Sequence, residues 1–141
     1  ERGENMKKAI IVDDSESIRD NIKNELETKG DFQVFAAEDG ILGLELIRNN
    51  QDCSIIITDL NMPNMSGFEM LEALKKENLC IKVPKIILTT EDFLADNYQD
   101  KLSDKGKELG IEAWVPKAAK SDAFIIIHGV IKRVLKKRES S

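Results

Sequence analysis

The chain has 141 residues, of which 41% are hydrophobic and 33% charged, and its formal net charge is -5. This length suits one compact domain whose core needs no disulfide or metal. The acidic balance argues against bulk binding to nucleic acid or an anionic membrane surface, and no apolar run approaches the roughly 20 residues that span a bilayer.

The chain begins with a strand-like segment followed by a helix-like one. Residues 9–12 form an apolar run that ends in two acids, which is typical of a strand buried on both faces of a parallel sheet. Ser15 can then cap a helix that extends to about Lys29, where Gly30 supplies a stop. Three apolar residues recur every four positions on one face of this helix: Ile18, Ile22 and Leu26.

A second strand is predicted over 32–36, a helix over 40–48 and a third strand over 54–58. The third strand is β-branched throughout except for Ser54, which is the pattern strands favour. The loop after it, residues 61–67, is rich in turn-forming residues. We expect the second helix to bury Ile41, Leu44 and Ile47.

The second half of the chain continues the alternation. A helix is predicted over 67–77, a strand over 85–89, a loop with one helix over 91–110, a strand over 113–115 and a last helix over 122–137. The residues expected to face the core are Phe68, Leu71 and Leu74 in the earlier helix, and Phe124, Ile127, Ile131 and Val134 in the last one.

Five strands alternating with five helices imply an α/β fold with a doubly wound, five-stranded parallel sheet. We expect one domain over residues 6–138, with residues 1–5 as a tail or cloning remnant and no output domain. Ligands of such sheets bind in the crevice at the carboxyl ends of the strands.

Five chemically suggestive side chains lie at predicted strand ends. Asp13 and Asp14 follow the first strand, Asp59 the third, Thr89 ends the fourth and Lys117 follows the fifth. Alone, each is most simply a turn, cap or surface residue. Together, three close carboxylates cannot all ionise comfortably without a cation, and oxygen ligands favour Mg²⁺. A carboxylate beside a metal, a hydroxyl and an ammonium suits phosphoryl transfer to an aspartate.

The motifs that hold these residues resemble those of response-regulator receiver domains. They are Ile11-Val12-Asp13-Asp14-Ser15, Thr58-Asp59-Leu60-Asn61-Met62-Pro63, Met65-Ser66-Gly67, Leu88-Thr89-Thr90-Glu91 and Val115-Pro116-Lys117. They follow the family's order over nearly the whole chain. The chain looks most like the single-domain CheY-type chemotaxis regulators. This likeness lies in the segment 88–91 and in the later residues 105–107, 110 and 113–114.

The resemblance implies a role for each residue. Asp59 would be the phosphoacceptor, and Mg²⁺ would be held by Asp13, Asp14, Asp59 and the backbone carbonyl of Asn61. Thr89 would hydrogen-bond one phosphoryl oxygen and Lys117 would pair with another. Thr89 and Trp114 would form the switch that couples phosphorylation to the protein surface, although Trp114 also suits a plain core position.

The function implied is that of a stand-alone phosphoacceptor in a two-component system. Such a protein is not an enzyme on a separate substrate, since it catalyses only its own phosphorylation and dephosphorylation. A sensor histidine kinase would donate the phosphoryl group, and a flagellar motor switch protein would receive the signal. The alternatives are a phosphorelay intermediate and a regulator that docks on a separate effector.

An alternative of another class is a phosphatase of the haloacid-dehalogenase type, which also uses a strand-end Asp and Mg²⁺. That chemistry needs a second acid two residues after the first, where this chain has Asn61.

Two departures from the receiver pattern stand out. Receiver domains usually have Pro directly after the lysine, whereas Ala118 follows Lys117 here. Because a cis bond without proline costs about 3 kcal/mol, we predict either a trans Lys117–Ala118 bond or a strained one. The segment between Thr89 and Lys117 is also longer than usual, with the extra residues near 92–104.

The two cysteines, Cys53 and Cys80, lack metal-like spacing, and we interpret them as reduced thiols. No signal peptide is visible. We therefore expect a cytoplasmic protein that is monomeric and does not insert into membranes.

Overall fold

In the computed structural model of the chain, the described residues are 6–29, 32–89, 99–117 and 122–139. Within these ranges the strands are β1 (Lys7–Val12), β2 (Phe32–Ala37), β3 (Ile55–Asp59), β4 (Lys85–Thr89) and β5 (Ile111–Pro116). The helices are α1 (Glu16–Lys29), α2 (Gly40–Arg48), α3 (Gly67–Lys76), α4 (Gln99–Leu109) and α5 (Asp122–Glu139).

The strands form one parallel sheet in the order β2-β1-β3-β4-β5. This order confirms the predicted doubly wound α/β fold, because the chain moves outward from β1 in both directions. The register pairs Val12 with Thr58, Asp59 with Leu88, and Thr89 with Pro116. The carboxyl ends of β1, β3, β4 and β5 therefore meet at one edge of the sheet.

The core has two layers, one on each face of the sheet. On one face, α1 and α5 cover the sheet through Ile22, Leu26, Ile127 and Ile131. On the other face, α2, α3 and α4 pack through residues that include Leu44, Ile47, Leu71, Leu74 and Leu109. All the strands except β2 and β5 contribute fully buried isoleucines, which explains why β1, β3 and β4 read as continuous apolar runs.

The prediction that Ile41 is buried is wrong, since 49% of its surface is exposed. The buried side of α2 is formed instead by Gly40, Gly43, Leu44 and Ile47. A helix turns by roughly 100° per residue, so Ile41 lies well off the face that Gly40 presents to the core. A Cβ at Gly43 would lie 2.8 Å from the Val12 side chain, so α2 uses a glycine to approach β1 closely.

One other prediction is met only in part, and several lie outside the described residues. Phe68 is only partly buried, because it lies at the α3–α4 surface against Trp114. The side chain of Phe124, the Lys117–Ala118 bond and residues 90–98 of the longer segment lie outside the described residues. Within the ranges described, no helix has both the length and the apolar character needed to cross a membrane.

Candidate functional site

Asp13 is held rigidly at the end of β1. Its backbone N–H donates to the Ala37 carbonyl at 3.1 Å, and its own carbonyl accepts from Nη1 of Arg19 at 2.7 Å. Carboxylate oxygen Oδ1 accepts from the backbone N–H of Ser15 at 2.8 Å. The other oxygen, Oδ2, is fully buried, lacks a well-aligned hydrogen bond among the described residues, and lies 2.9 Å from Nζ of Lys117.

Asp59 ends β3 and is buried, with 6% of its surface exposed. Its Oδ1 accepts from the backbone N–H of Leu60 at 2.8 Å, and its Oδ2 lies 2.9 Å from Nζ of Lys117. The backbone N–H of Gly67 donates to the Leu60 carbonyl at 2.8 Å. This hydrogen bond holds the start of α3 against Asp59 and Leu60.

Lys117 places one ammonium group between two carboxylates. Its backbone N–H donates to the Thr89 carbonyl at 2.6 Å, so β4 positions the residue just after β5. The ammonium lies 2.9 Å from an oxygen of Asp13 and 2.9 Å from an oxygen of Asp59, and 17% of the side chain is exposed. Burial alone would lower the pKa of Lys117, but the two carboxylates together raise it above its ordinary value.

The environment of Asp59 is unfavourable to its negative charge. Burial raises the pKa of the Asp59 carboxyl, the nearby Asp13 carboxylate raises it further, and the Lys117 ammonium only partly opposes this. A carboxylate in such a place gains from additional positive charge.

A cation would fit the carboxylate cluster. Asp13, Asp14 and Asp59 each offer a carboxylate oxygen, and these oxygens lie within 4.8 Å of one another. Asp14 is exposed at the mouth of the cluster, whereas Asp13 and Asp59 are buried. Oxygen donors of this kind suit a hard divalent ion, and the buried Oδ2 of Asp13 can face such an ion while it pairs with the Lys117 ammonium.

The loop after β3 is fixed from two sides. Asp39 caps α2 by accepting from the Leu42 N–H at 2.9 Å, and its other oxygen accepts from the Asn64 amide at 2.9 Å. The Leu42 hydrogen bond, and then that from Asn64, hold the pKa of Asp39 below its ordinary value. Ser66 forms a capping box with Glu69 at the start of α3. Asn61, in the same loop, is exposed.

Thr89 and Trp114 lie on the same side of the sheet. Thr89 is 2% exposed and follows Ile87 by two positions, so its side chain is on the α2–α4 face that Ile87 helps to form. Ile87 is aligned with Trp114 across the β4–β5 pair. Trp114 is partly buried and meets Phe68 edge-on, with ring centroids 6.2 Å apart.

The sequence reasoning missed the positioning roles of two residues, although one of them, Gly67, belongs to a motif named above. Arg19 fixes the Asp13 carbonyl from the first turns of α1, and nothing in its local sequence distinguishes it from a solvated arginine. Gly67 allows α3 to touch β3, because an added Cβ would lie 2.1 Å from the Asp59 carbonyl oxygen. Its signal was present as a glycine directly after a helix-capping serine.

Comparison with known proteins defines the class. The sequence profile of the response regulator receiver domain matches residues 9–126. Because this match covers most of the chain, the protein belongs to the response regulator receiver domain family.

Within the family, similarity to chemotaxis regulators is evident. A chemotaxis protein CheY homolog of Campylobacter jejuni is 39% identical over 89 residues, which are 63% of this chain and 68% of the relative. Chemotaxis protein CheY1 of Helicobacter pylori is 38% identical over 89 residues, which are 63% of this chain and 72% of the relative.

Solved structures agree on the fold. Chemotaxis response regulator CheY4 of Vibrio cholerae superimposes with a TM-score of 0.72 at 31% identity, covering 89% of this chain and 98% of that one. A CheY-like receiver domain protein of Methanospirillum hungatei superimposes with a TM-score of 0.76 at 27% identity, covering 96% of this chain and 98% of that one.

Proposed function

We propose that this receiver domain is a stand-alone phosphoacceptor switch that is phosphorylated on Asp59 with the help of Mg²⁺. The observation that carries the proposal is the cluster at the carboxyl edge of the sheet. There the Lys117 ammonium lies 2.9 Å from both Asp13 and Asp59, beside a third carboxylate from Asp14. The protein acts on no separate substrate, and it accelerates only the gain and loss of its own phosphoryl group.

Asp59 supplies the nucleophile. One of its carboxylate oxygens attacks the phosphorus of a phosphohistidine on a sensor histidine kinase, the P–N bond breaks, and its electron pair leaves with the imidazole nitrogen, which takes up a proton from water. The hydrogen bond from Leu60 and the contact with Lys117 hold the two carboxylate oxygens in place. Fixing the attacking group in this way lowers the entropic part of the barrier.

Asp13, Asp14, Asp59 and the backbone carbonyl of Asn61 would hold the Mg²⁺. A bound divalent cation supplies charge neutralisation for the phosphoryl oxygens. The protein's own contribution is the Lys117 ammonium, which can turn from Asp13 toward a phosphoryl oxygen while keeping its contact with Asp59. Thr89 is placed to donate its hydroxyl to another phosphoryl oxygen.

The switch couples this site to the α3–α4 surface. When the Thr89 side chain moves toward the phosphoryl group, it leaves space on the face that it shares with Trp114. Trp114 is partly buried against Phe68, so an inward turn of the indole would change the outer surface of α3 and α4. Phosphorylation would thereby alter the affinity for a partner.

The fluorescence of Trp114 tests this coupling, because the chain has a single Trp. Mg²⁺ with a phosphoryl mimic such as beryllium fluoride should change the emission of the wild-type protein. The Asp59→Asn variant should show no such change. An emission spectrum that is the same with and without the mimic in the wild type would contradict the role of Trp114.

The output we propose is chemotaxis signalling to the flagellar motor, since the curated relatives from Campylobacter jejuni and Helicobacter pylori are chemotaxis proteins. In this role the protein is a cytoplasmic monomer that does not bind nucleic acid. A pull-down with a flagellar motor switch protein should retain more of the phosphorylated chain than of the Asp59→Asn variant. Equal retention would count against this output.

The second candidate is a phosphorelay intermediate. Its support is the 30% identity, over 129 residues, to part of a histidine kinase of Formosa agariphila. Rapid transfer of the phosphoryl group from Asp59 to the histidine of a phosphotransfer protein would favour this candidate over the motor output. A haloacid-dehalogenase-type phosphatase is disfavoured, because Asn61 stands where the general acid is needed.

A further inference from the structure

The two cysteines of the chain meet at the amino end of the sheet, the edge opposite Asp59. Cys53 lies in the turn before β3 and is 4% exposed. Cys80 lies in the loop between α3 and β4 and is half-buried. Cys53 belongs to the apolar cluster against which Cys80 packs, and the Cys80 thiol donates to the carbonyl of Gln51, two residues before Cys53, at 3.7 Å. The fold thus brings two cysteines that are far apart in the chain into one cluster.

The loop that carries Cys80 has an unusual backbone conformation that other groups stabilise. Cys80 has a φ of +52°, a left-handed conformation that is uncommon for residues other than glycine. The buried Lys85 ammonium stabilises this loop by donating to the carbonyl of Cys80 at 2.6 Å, and it also lies 3.4 Å from that of Ile81. The loop therefore holds Cys80 against the cluster that contains Cys53, and both cysteines are free thiols.

The two thiols differ in their acidity. The neighbouring Cys53 thiol lowers the pKa of Cys80 to about 7, the Lys85 ammonium lowers it as well, and burial and the Asp52 carboxylate oppose them. The Cys80 thiol, with burial, raises the pKa of Cys53. Near neutral pH a substantial share of the partly exposed Cys80 is therefore thiolate, which is the form that peroxide oxidises.

We propose that Cys53 and Cys80 form a redox modification site that a hydroperoxide converts to an intramolecular disulfide. The Cys80 thiolate attacks one peroxide oxygen, the O–O bond breaks, and with one proton the products are a Cys80 sulfenic acid and water. The Cys53 sulfur then attacks the sulfenic sulfur, the S–O bond breaks, and the hydroxyl leaves as water with the Cys53 proton. Two thiols and one hydrogen peroxide give one disulfide and two waters.

Reduction of this disulfide needs a dithiol reductant. Thiol–disulfide exchange moves the disulfide to the reductant, and each cysteine regains one proton. A crevice of about 330 Å³ beside Cys53, lined also by Lys82 and Pro84, gives a small reductant access to this edge. The cross-link would enclose β3 and α3, and it forms independently of any chemistry at Asp59.

Tryptic mapping without reduction tests the proposal on the full chain. Cleavage after Arg48, Lys75, Lys76 and Lys82 places the two cysteines in separate peptides, 49–75 and 77–82. After treatment with hydrogen peroxide at neutral pH, these two peptides should be found joined, and dithiothreitol should separate them. Oxidation of methionines adds oxygen but does not link peptides, so it leaves this result unchanged.

Matched serine variants identify the attacking sulfur. In Cys53→Ser, Cys80 should accumulate as a sulfenic acid that dimedone traps. In Cys80→Ser, peroxide consumption by the remaining thiol should fall at least about tenfold. The wild-type peptide map needs no variant, so a folding defect in either one leaves the test intact.

Three results would overturn the proposal. One is the absence of the 49–75/77–82 link after peroxide treatment. Another is a link found only between two chains, seen as a dimer on a non-reducing gel. The third is dimedone trapping at Cys53 in Cys80→Ser that is as fast as trapping at Cys80 in Cys53→Ser.

Discussion

Replacement of Gly67 by alanine tests the contact between α3 and β3 that positions Asp59. A Cβ at this position would lie 2.1 Å from the Asp59 carbonyl oxygen, 3.1 Å from its carbonyl carbon and 3.2 Å from Cα of Leu60. Because favourable contacts need about 3.5 Å, the start of α3 has to move away by about 1 Å. All three contacts are with backbone, so no side chain can rotate to relieve them.

The expected change in the free energy of unfolding of Gly67→Ala is the sum of two opposing effects. Overpacking against rigid backbone costs about 3 kcal/mol. Alanine also restricts the unfolded chain, which returns about 1 kcal/mol. We therefore expect Gly67→Ala to lower the free energy of unfolding by about 2 kcal/mol, or about 8 °C in Tm for a domain of this size. Displacement of Asp59 should also slow its phosphorylation by acetyl phosphate.

Gly129→Ala is the matched control. Gly129 is exposed in the middle of α5, and an added Cβ there would have no described heavy atom within 4 Å. Alanine should therefore raise the free energy of unfolding by about 1 kcal/mol through helix propensity alone. Urea denaturation followed by circular dichroism measures both variants. A Gly67→Ala variant as stable as the wild type would refute the close contact with Asp59.

Two further predictions concern charged groups. Lys117→Ala should cost about 3 kcal/mol in EDTA, because the buried carboxylates of Asp13 and Asp59 lose their counter-ion. Mg²⁺ should then raise the Tm of this variant more than that of the wild type, and equal shifts would contradict the shared site. Asp39→Ala should cost about 1 kcal/mol at neutral pH by removing the cap on the Leu42 N–H. The fold lowers the pKa of Asp39 below 3.8. The difference in free energy of unfolding between the wild type and Asp39→Ala should therefore persist above pH 3.8 and vanish as the pH falls through the pKa of Asp39 in the folded protein. A difference that grows in acid would refute the cap.

The sequence predicted the sheet and the convergence of the site, because both follow from local patterns. β1, β3 and β4 are apolar runs, and parallel strands end at a common edge. The placement of Lys117 between two carboxylates depends on the backbone hydrogen bond to Thr89, which no local pattern reveals.

Where the sequence reasoning failed, tertiary contacts decided the outcome. Ile41 fits an apolar stripe on spacing alone, but Gly40 and Gly43 bring another face of α2 against the sheet. The packing of Cys80 against the cluster that contains Cys53 likewise involves a loop conformation with positive φ at Cys80. The spacing of the two cysteines in the sequence carries no information about their distance in space.

The most direct test of the central claim is the site of phosphoryl transfer. The chain is incubated with acetyl phosphate, with and without Mg²⁺, and the tryptic peptide 49–75 is examined by mass spectrometry. We predict one phosphoryl group on Asp59, dependent on Mg²⁺ and absent from Asp59→Asn. Asp52→Asn makes the same chemical change in the same peptide, at an exposed residue paired with Lys8, and should be labelled like the wild type. Labelling that persists in Asp59→Asn would contradict Asp59 as the acceptor.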